Sequence, residues 1–378
     1  MTQNLFLLKK RIDTLIGNAL EKKVFPGAAI GISAEISGRR ENLLFSYGYG
    51  GVEPKIYKME ERLFFDLASL TKPLATTLAV LCLLKAEKIS WDEKLPSLLE
   101  KKIKQENRNI TLRQILCHCS GLPAYRSYYQ GLMDVRPEKR KDILIKWLLQ
   151  ERLVYEPETY VLYSDLGFLL LGKIIEKKGK EKLEDFVSEK VMKPLGLDKK
   201  IFFRPISVSN ERKKSMDLRF VATERCPWRQ KVLCGEVHDD NAWAIGGVAG
   251  HAGLFGDIEG VLSLTVAIMD QWQGKAVHPN YRNADLKRVL TKQRLVKKST
   301  WALGFDTPAK KGSSSGKYFS KKSVGHLGFT GTSFWMDPEK RIVIVLLTNR
   351  VHPQRDNIKI KEFRPLFHDT VMKGLIIP

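Results

Sequence analysis

Ser69-Leu70-Thr71-Lys72 places a lysine three residues after a serine, a spacing that can turn an ordinary hydroxyl into a nucleophile. A serine oxygen attacks poorly at neutral pH unless a base lies within hydrogen-bond reach. On a helix, residues three apart share a face, so Lys72 can approach Ser69 from the same turn. Pro73 follows at once, and a proline is tolerated only in the first helical turn, where its missing N–H has no partner to lose. Ser69 is therefore expected at the N-terminal, positive end of a helix. Leu74 to Leu84 is almost entirely apolar, which predicts a helix buried on every side. Lys72 then projects into a poorly solvated place, where desolvation would lower its pKa and release a neutral amine. The same four residues also suit a capped helix whose lysine faces water, so the rest of the chain must decide.

Two further clusters bear on that choice. Tyr163-Ser164-Asp165 stands just before the apolar run that begins at Leu166. Its tyrosine and serine can face one cleft while Asp165 caps the helix behind them. The plainer alternative is an N-cap beside a packed tyrosine. Gly325-His326-Leu327-Gly328-Phe329-Thr330-Gly331 leads into a segment containing Trp335. Glycines inside a strand mark close approach by a ligand or another backbone. A strand edge with an exposed N–H beside a nucleophile would bind an oxyanion; a bulged strand with a core histidine is the alternative.

The elements that must position these residues follow from periodicity. Leu5, Leu8, Ile12, Leu15, Ile16 and Leu20 recur at helical spacing between charged residues, an amphipathic helix packed on a body. Ala28 to Ile36 and Leu43 to Tyr49 read as paired strands. Helices are expected over 111–117 (capped by Thr111), 142–150, 166–178 (stopped by Gly179), 183–192 and 261–272. Residues 331–336 and the unbroken apolar run 342–348 read as strands, and 362–376 as a closing helix. Strands at both ends and helices between them imply an α+β fold. One antiparallel sheet, flanked by the terminal helices, would carry an inserted, mainly helical lobe. The expected division is a single two-lobed catalytic domain: 1–66 and 296–378 form the α/β lobe, and 67–295 the helical lobe. The site then lies at the seam, where pockets prefer to form.

At 378 residues, 43% hydrophobic and 28% charged, the chain has the composition of a soluble globular protein. Its net charge of +22 is spread in lysine pairs at 101–102, 177–178, 213–214, 297–298 and 321–322. Scattered pairs describe solvated faces, and no basic stripe interleaved with aromatics emerges, so no specific nucleic-acid partner is expected. The first residues lack the pattern of an export signal, and no run of 18 apolar residues suggests a membrane span. Five cysteines, an odd number, are read as reduced thiols, and a cytoplasmic protein is expected. Cys117-His118-Cys119 has poor spacing for zinc, and no metal or other cofactor is expected.

Taken in order, Ser69-Leu-Thr-Lys72, Tyr163-Ser-Asp165 and His326-Leu-Gly328 resemble the three motifs of the serine β-lactamase and penicillin-binding-protein superfamily, in particular its class C-like and esterase branch. Phe65-Asp66-Leu67-Ala68, Ile115 to Leu122 and the glycine-rich stretch Gly246 to Phe255 extend the resemblance over about residues 25 to 350. It implies Ser69 as an acylated nucleophile, with Lys72 and Tyr163 sharing the general-base role. It also implies an oxyanion hole from the backbone N–H groups of Ser69 and Phe329, and a substrate-orienting place for His326 beside Gly328. Two positions depart from the family pattern. Asp165 stands where an asparagine is usual, and an ionised Asp165 would favour the charged form of Lys72. His326 stands for a lysine and removes a fixed charge that a β-lactam carboxylate would use. The expected activity is hydrolysis of a small ester or a D-amino-acid peptide, such as a cell-wall fragment, with weak β-lactamase action. The alternative is a catalytically silent binding protein of the same fold whose basic surface recruits an anionic partner.

Three other segments receive different readings. Gly312 to Gly316 matches Gly-x-Ser-x-Gly formally but lacks the strand and helix that a nucleophile elbow needs, and is read as a loop. Gly235 to Asn241 is a polar turn that could line the cleft or bind a cation. His251, among glycines, suits either the pocket or a backbone-bonded loop.

Overall fold

The two ends of the chain meet in one antiparallel sheet, as their apolar strands require. A computed structural model describes residues 3–376 except 37, 102, 104, 207–216 and 218. The lysine pair at 213–214, and one member of the pair at 101–102, lie outside the described residues. Near the N-terminus, β1 (Gly27–Ile36) and β2 (Arg39–Gly51) form a hairpin, extended by the short β3 (Tyr57–Lys58). The middle of the chain adds β4 (Phe65–Asp66), β5 (Ile201–Phe203), the hairpin β6 (Ala222–Cys226) and β7 (Lys231–Cys234), and β8 (Leu254–Gly256). Strands β9 (Val324–Leu327), β10 (Ser333–Asp337) and β11 (Ile342–Thr348) complete the main sheet in the order β3-β2-β1-β11-β10-β9.

The register explains why β11 reads as a continuous apolar run. Ala28 pairs with Thr348 and Ile32 with Ile344, so β11 lies inside the sheet, and all of its residues are buried. Alternate side chains enter different cores. Ile30, Ile32, Ile344 and Leu346 pack with the terminal helices Gln3–Glu21 and Ile360–Ile376. Ala29, Val343, Val345 and Leu347 join the larger core on the opposite face. There Gly31 lets the helix Ile258–Trp272 approach, since a Cβ would sit 3.3 Å from Ile258 and Leu262.

On that larger core the Ser-x-x-Lys segment forms its elements. Ala68–Leu70 is a 3-10 turn, Lys72–Thr77 a π-helical turn, and Leu78–Lys85 an α-helix whose residues Leu78 to Leu84 are all buried. Pro73 occupies the first turn as expected. Ala68–Lys85 is also long and apolar enough by composition to cross a membrane, which the residue count above missed, but 89% of it is buried within the fold. That burial is the mark of a core helix.

Several boundaries differ from expectation for local reasons. The helix expected at 142–150 spans Pro137–Leu148, because Pro137 is preset for the first helical position. Asp165–Gly179 runs through Gly179, and Lys180, at φ 61°, makes the left-handed turn that ends it. Asp165 does not cap this helix. The cap is Ser164, whose Oγ accepts from the Gly167 N–H at 3.3 Å, which frees the aspartate for another partner. Thr111 caps Leu112–Leu116 in a reciprocal pair with Gln114. Strand β10 begins only at Ser333, since Gly331, at φ 112°, turns the chain back to bond Gly328. Residues 312–316 form a loop held against the C-terminal helix, where Ser314 O accepts from His368 Nδ1 at 2.7 Å.

One backbone contact sets the depth of the site. A Cβ on Gly250 would fall 2.0 Å from Phe168 O and 2.8 Å from Gly172 N, so the glycine loop lies directly on the helix Asp165–Gly179. Thr76 Oγ1 donates to Gly250 O at 2.6 Å and ties the loop to the π-helical turn. Gly250→Ala should therefore destabilise the protein by about 1–3 kcal/mol through overpacking. Urea titration followed by tryptophan fluorescence measures this; an unchanged midpoint would refute the contact.

Candidate active site

Strand β4 delivers the chain into a strained turn. Ala68 has φ 48°, a region that non-glycine residues seldom occupy. Asp66 holds it there: Oδ1 accepts from the Ala68 N–H at 2.8 Å and Oδ2 from the His238 N–H at 2.6 Å. Thr71 Oγ1 donates to Ala68 O at 2.6 Å, and Thr330 Oγ1 to Asp66 O at 2.8 Å. The next residue, Ser69, is half-buried and opens onto a cleft.

Lys72 is fully buried, and its three N–H donors are all used. Nζ donates to Ser69 Oγ at 3.0 Å, to Asp165 Oδ1 at 2.7 Å and to His251 O at 3.3 Å. It also lies 4.7 Å from the centre of the Tyr163 ring. Burial opposes the charge of Lys72, but the Asp165 carboxylate and the Tyr163 hydroxyl outweigh it and hold the pKa above the usual lysine value. This corrects the lowered pKa expected from burial alone and agrees with the charged form expected from an ionised Asp165, which supplies the counter-charge. Burial also raises the Tyr163 phenol, although Lys72 and Ser69 pull the other way. At rest the site holds an ammonium and a neutral phenol.

Around Tyr163 stands a box of rings. His118 lies 4.6 Å and Trp301 5.6 Å from it, and His326 is 6.0 Å away. Burial, followed by the Lys72 charge, brings His326 down to about 3, and the same two causes put His118 well below the ordinary histidine value. Both rings are therefore neutral. His326 Nδ1 donates to Leu327 O at 2.8 Å, which leaves Nε2 a bare acceptor. His118 Nδ1 accepts from the Ser164 N–H at 3.1 Å, which fixes the loop that carries Tyr163. Cys117-His118-Cys119 thus places its histidine in this box. Phe329, half exposed, follows β9 at the cleft mouth, and its N–H has no hydrogen-bond partner among the described residues.

The cleft has a volume of about 780 Å³ and is lined by charges of both signs. Asp165, Asp239 and Asp240 line it together with Arg350, Arg355 and Arg364, and Arg355 Nη1 lies 3.6 Å from Asp240 Oδ2. Asp239 accepts from His251 Nε2 at 2.9 Å and caps a short helix through the Ala242 N–H at 2.7 Å. The polar segment at 235–241 therefore both turns and lines the cleft, and His251 belongs to the site. Donor atoms of Asp165, Asp239 and His251 lie within 4.8 Å of one another, a spacing that suits a cation. The Lys72 ammonium already supplies positive charge at Asp165.

The structure thus brings together Ser69, Lys72, Tyr163, Asp165, His326, Gly328 and Phe329 around one cleft. Sequence reasoning missed the placement of His118, Trp301, Asp239 and the arginines. Only the Cys-His-Cys and Gly-Glu-Val-His-Asp-Asp segments offered a signal, and it pointed to no partner.

Comparison with known proteins bears on the family and the fold. A family model described as Beta-lactamase matches residues 12–366. The N-acetylmuramyl-L-alanine amidase of Bacillus subtilis (strain 168) is 32% identical over 384 residues, covering 91% of this chain and 81% of that protein. A provisionally named D-alanyl-D-alanine carboxypeptidase of Salmonella typhimurium is 30% identical over 314 residues, covering 78% of this chain and 71% of that protein. The octameric penicillin-binding protein homologue from Pyrococcus abyssi superposes with a TM-score of 0.69 at 18% identity, over 94% of this chain and 77% of that one; at that identity the likeness speaks for the fold. With three ordered motifs converging on one cleft and a family match over nearly its whole length, the chain belongs to the β-lactamase family.

Proposed function

We propose that this protein is a serine hydrolase that cleaves an amide bond in a cell-wall-derived peptide through an acyl-enzyme. The observation that carries this reading is the Lys72 ammonium bridging Ser69 Oγ and Asp165 at the floor of an open cleft. Once the Lys72–Tyr163 pair has lost one proton to solvent, Ser69 Oγ attacks the scissile carbonyl carbon and its proton passes to that pair. The backbone N–H groups of Ser69 and Phe329 hold the oxyanion. The tetrahedral intermediate collapses as the leaving amine takes the proton, and water then releases the acyl group from Ser69. An amide is favoured over a simple ester because the amidase and carboxypeptidase relatives are 30% or more identical to this chain. The buried, neutral His326 supplies no fixed charge for a β-lactam carboxylate, in keeping with weak β-lactamase action. A cytoplasmic setting is also proposed, supported by five unpaired thiols; the substrate would then be a released fragment.

Two outcomes test this reading. A fluorophosphonate or penicillin probe should add covalently to the wild-type protein, with the adduct on the Ser69 peptide by mass spectrometry, and Ser69→Ala should abolish it. A folded wild-type protein that takes up no acylating probe would instead support the silent binding protein.

The second concerns pH. Asp165 raises the pKa of both Lys72 and Tyr163, so the base form of either appears only at alkaline pH, and acylation should still be rising there. Removing the carboxylate lowers both values, whichever group takes the proton. Asp165→Asn should therefore move the alkaline limb of the acylation rate to lower pH. His326, at about 3, and Asp306, pushed by burial to about 6, titrate below that limb. A limb that stays in place or moves upward would contradict the assignment.

A further inference from the structure

The cleft holds one imidazole that is oriented by a carboxylate and has no part in acylation. His238 is 5% exposed and lines the cleft. Its Nε2 lies 3.0 Å from Glu224 Oε2. Burial opposes the charge of Glu224, but hydrogen bonds from His238 and Arg355 outweigh it and hold the carboxyl at about 2. An ionised carboxylate only accepts, so the proton of a neutral His238 ring sits on Nε2 and Nδ1 is left as an acceptor. Nδ1 makes no hydrogen bond to a described residue. Unlike the unpartnered nitrogens of His118, His251 and His326, it is not sealed from solvent. Arg355 Nε fixes the Glu224 carboxylate from the other side, at 2.7 and 2.8 Å from its two oxygens.

The backbone sets this ring beside the reacting carbonyl. Asp66 accepts from the Ala68 N–H through Oδ1 and from the His238 N–H through Oδ2, so one carboxylate ties His238 to the nucleophile turn. The imidazole stacks on Phe329, with ring centres 5.5 Å apart and planes 30° from parallel. An acyl group held between the Ser69 and Phe329 N–H groups thus lies between two turns that are each fastened to His238. Other groups in the cleft are less suited to take a proton from water. Asp165 and Asp240 are ion-paired with Lys72 and Arg229. His251 is bonded to Asp239, and His326, at about 3, is too weak a base. Asp306 pairs with Gly325, about 10 Å along β9 from Gly328. Lys72 and Tyr163 both have raised pKa values, so after the amine has left, the pair regains a proton from solvent. It can then return a proton to Ser69 Oγ but cannot accept one from water.

We propose that His238, oriented by Glu224, is the general base of deacylation. A water oxygen bonds to the acyl carbon of the Ser69 ester while one of its protons moves to His238 Nδ1, and the Glu224 carboxylate stabilises the imidazolium that forms. The C–Oγ bond then breaks, Ser69 Oγ takes a proton from the Lys72–Tyr163 pair, the acid departs and His238 releases its proton to solvent. The inference rests on the hydrolase reading and adds to it the residue that completes the cycle.

The test uses p-nitrophenyl acetate. The burst of nitrophenol reports acylation, the steady rate reports deacylation, and mass spectrometry of the quenched protein places the acetyl group on Ser69. In His238→Gln the ratio of deacylation to acylation should fall tenfold or more, so that acetyl-Ser69 accumulates. Hydroxylamine attacks an ester without help from a base, and it should clear acetyl-Ser69 from this variant as fast as from the wild type. Glu224→Gln keeps the ring but removes the charge that stabilises the imidazolium. It should slow the water reaction by a smaller factor, and it decides the matter if circular dichroism shows His238→Gln unfolded. A wild-type ratio in the folded variants, or parallel loss of the water and hydroxylamine reactions, would overturn the proposal. Failure of the wild-type protein to acetylate Ser69 at all would instead remove the hydrolase reading, and this inference with it.

Discussion

A lysine ammonium sealed inside the protein is the constraint on which this site depends. Burial alone would drive Lys72 to shed its proton, and a buried charge persists only when paired and fully hydrogen-bonded. Here Asp165, Ser69 and the His251 carbonyl take its three donors. These partners come from three separate segments: a strained turn, the start of a helix and a glycine loop. The charge thus ties together parts of the chain that the main sheet holds only indirectly.

Much of the surrounding structure serves that junction. The glycine loop can bring His251 O to Lys72 only because Gly250 has no side chain against the helix Asp165–Gly179. Asp66 stabilises the positive φ of Ala68 and so aims Ser69 at the cleft. Ser164 rather than Asp165 caps the helix, and this division of labour leaves the carboxylate free to meet the lysine. Around them, neutral histidines and Trp301 keep the environment of Tyr163 apolar without adding competing charge.

The legible parts of the sequence were those whose signal is local. The run Ile342–Thr348, the buried helix after Pro73 and the three motif segments each declare themselves within a few residues, and the terminal strands imply a shared sheet. Strands of two or three residues such as Phe65–Asp66 and Leu254–Gly256 are too short to show a period. The neighbourhood of Lys72 alone pointed to a neutral amine, because its counter-ion, Asp165, is far away in sequence and enters only when the separate motifs are considered together. Trp301, Arg350 and Arg364 reach the cleft, and His118 the ring of Tyr163, through tertiary packing, which no spacing along the chain encodes.

The account stands or falls on the protonation of one group. Selective isotope labelling of lysine side chains, with Lys72 assigned by substitution, allows its Cε resonance to be followed by NMR across pH. The account predicts that Lys72 remains charged throughout the neutral range and loses its proton only above the pH of ordinary lysines, and that Asp165→Asn brings this titration down. A Lys72 that is already neutral at pH 7 with Asp165 in place would contradict it.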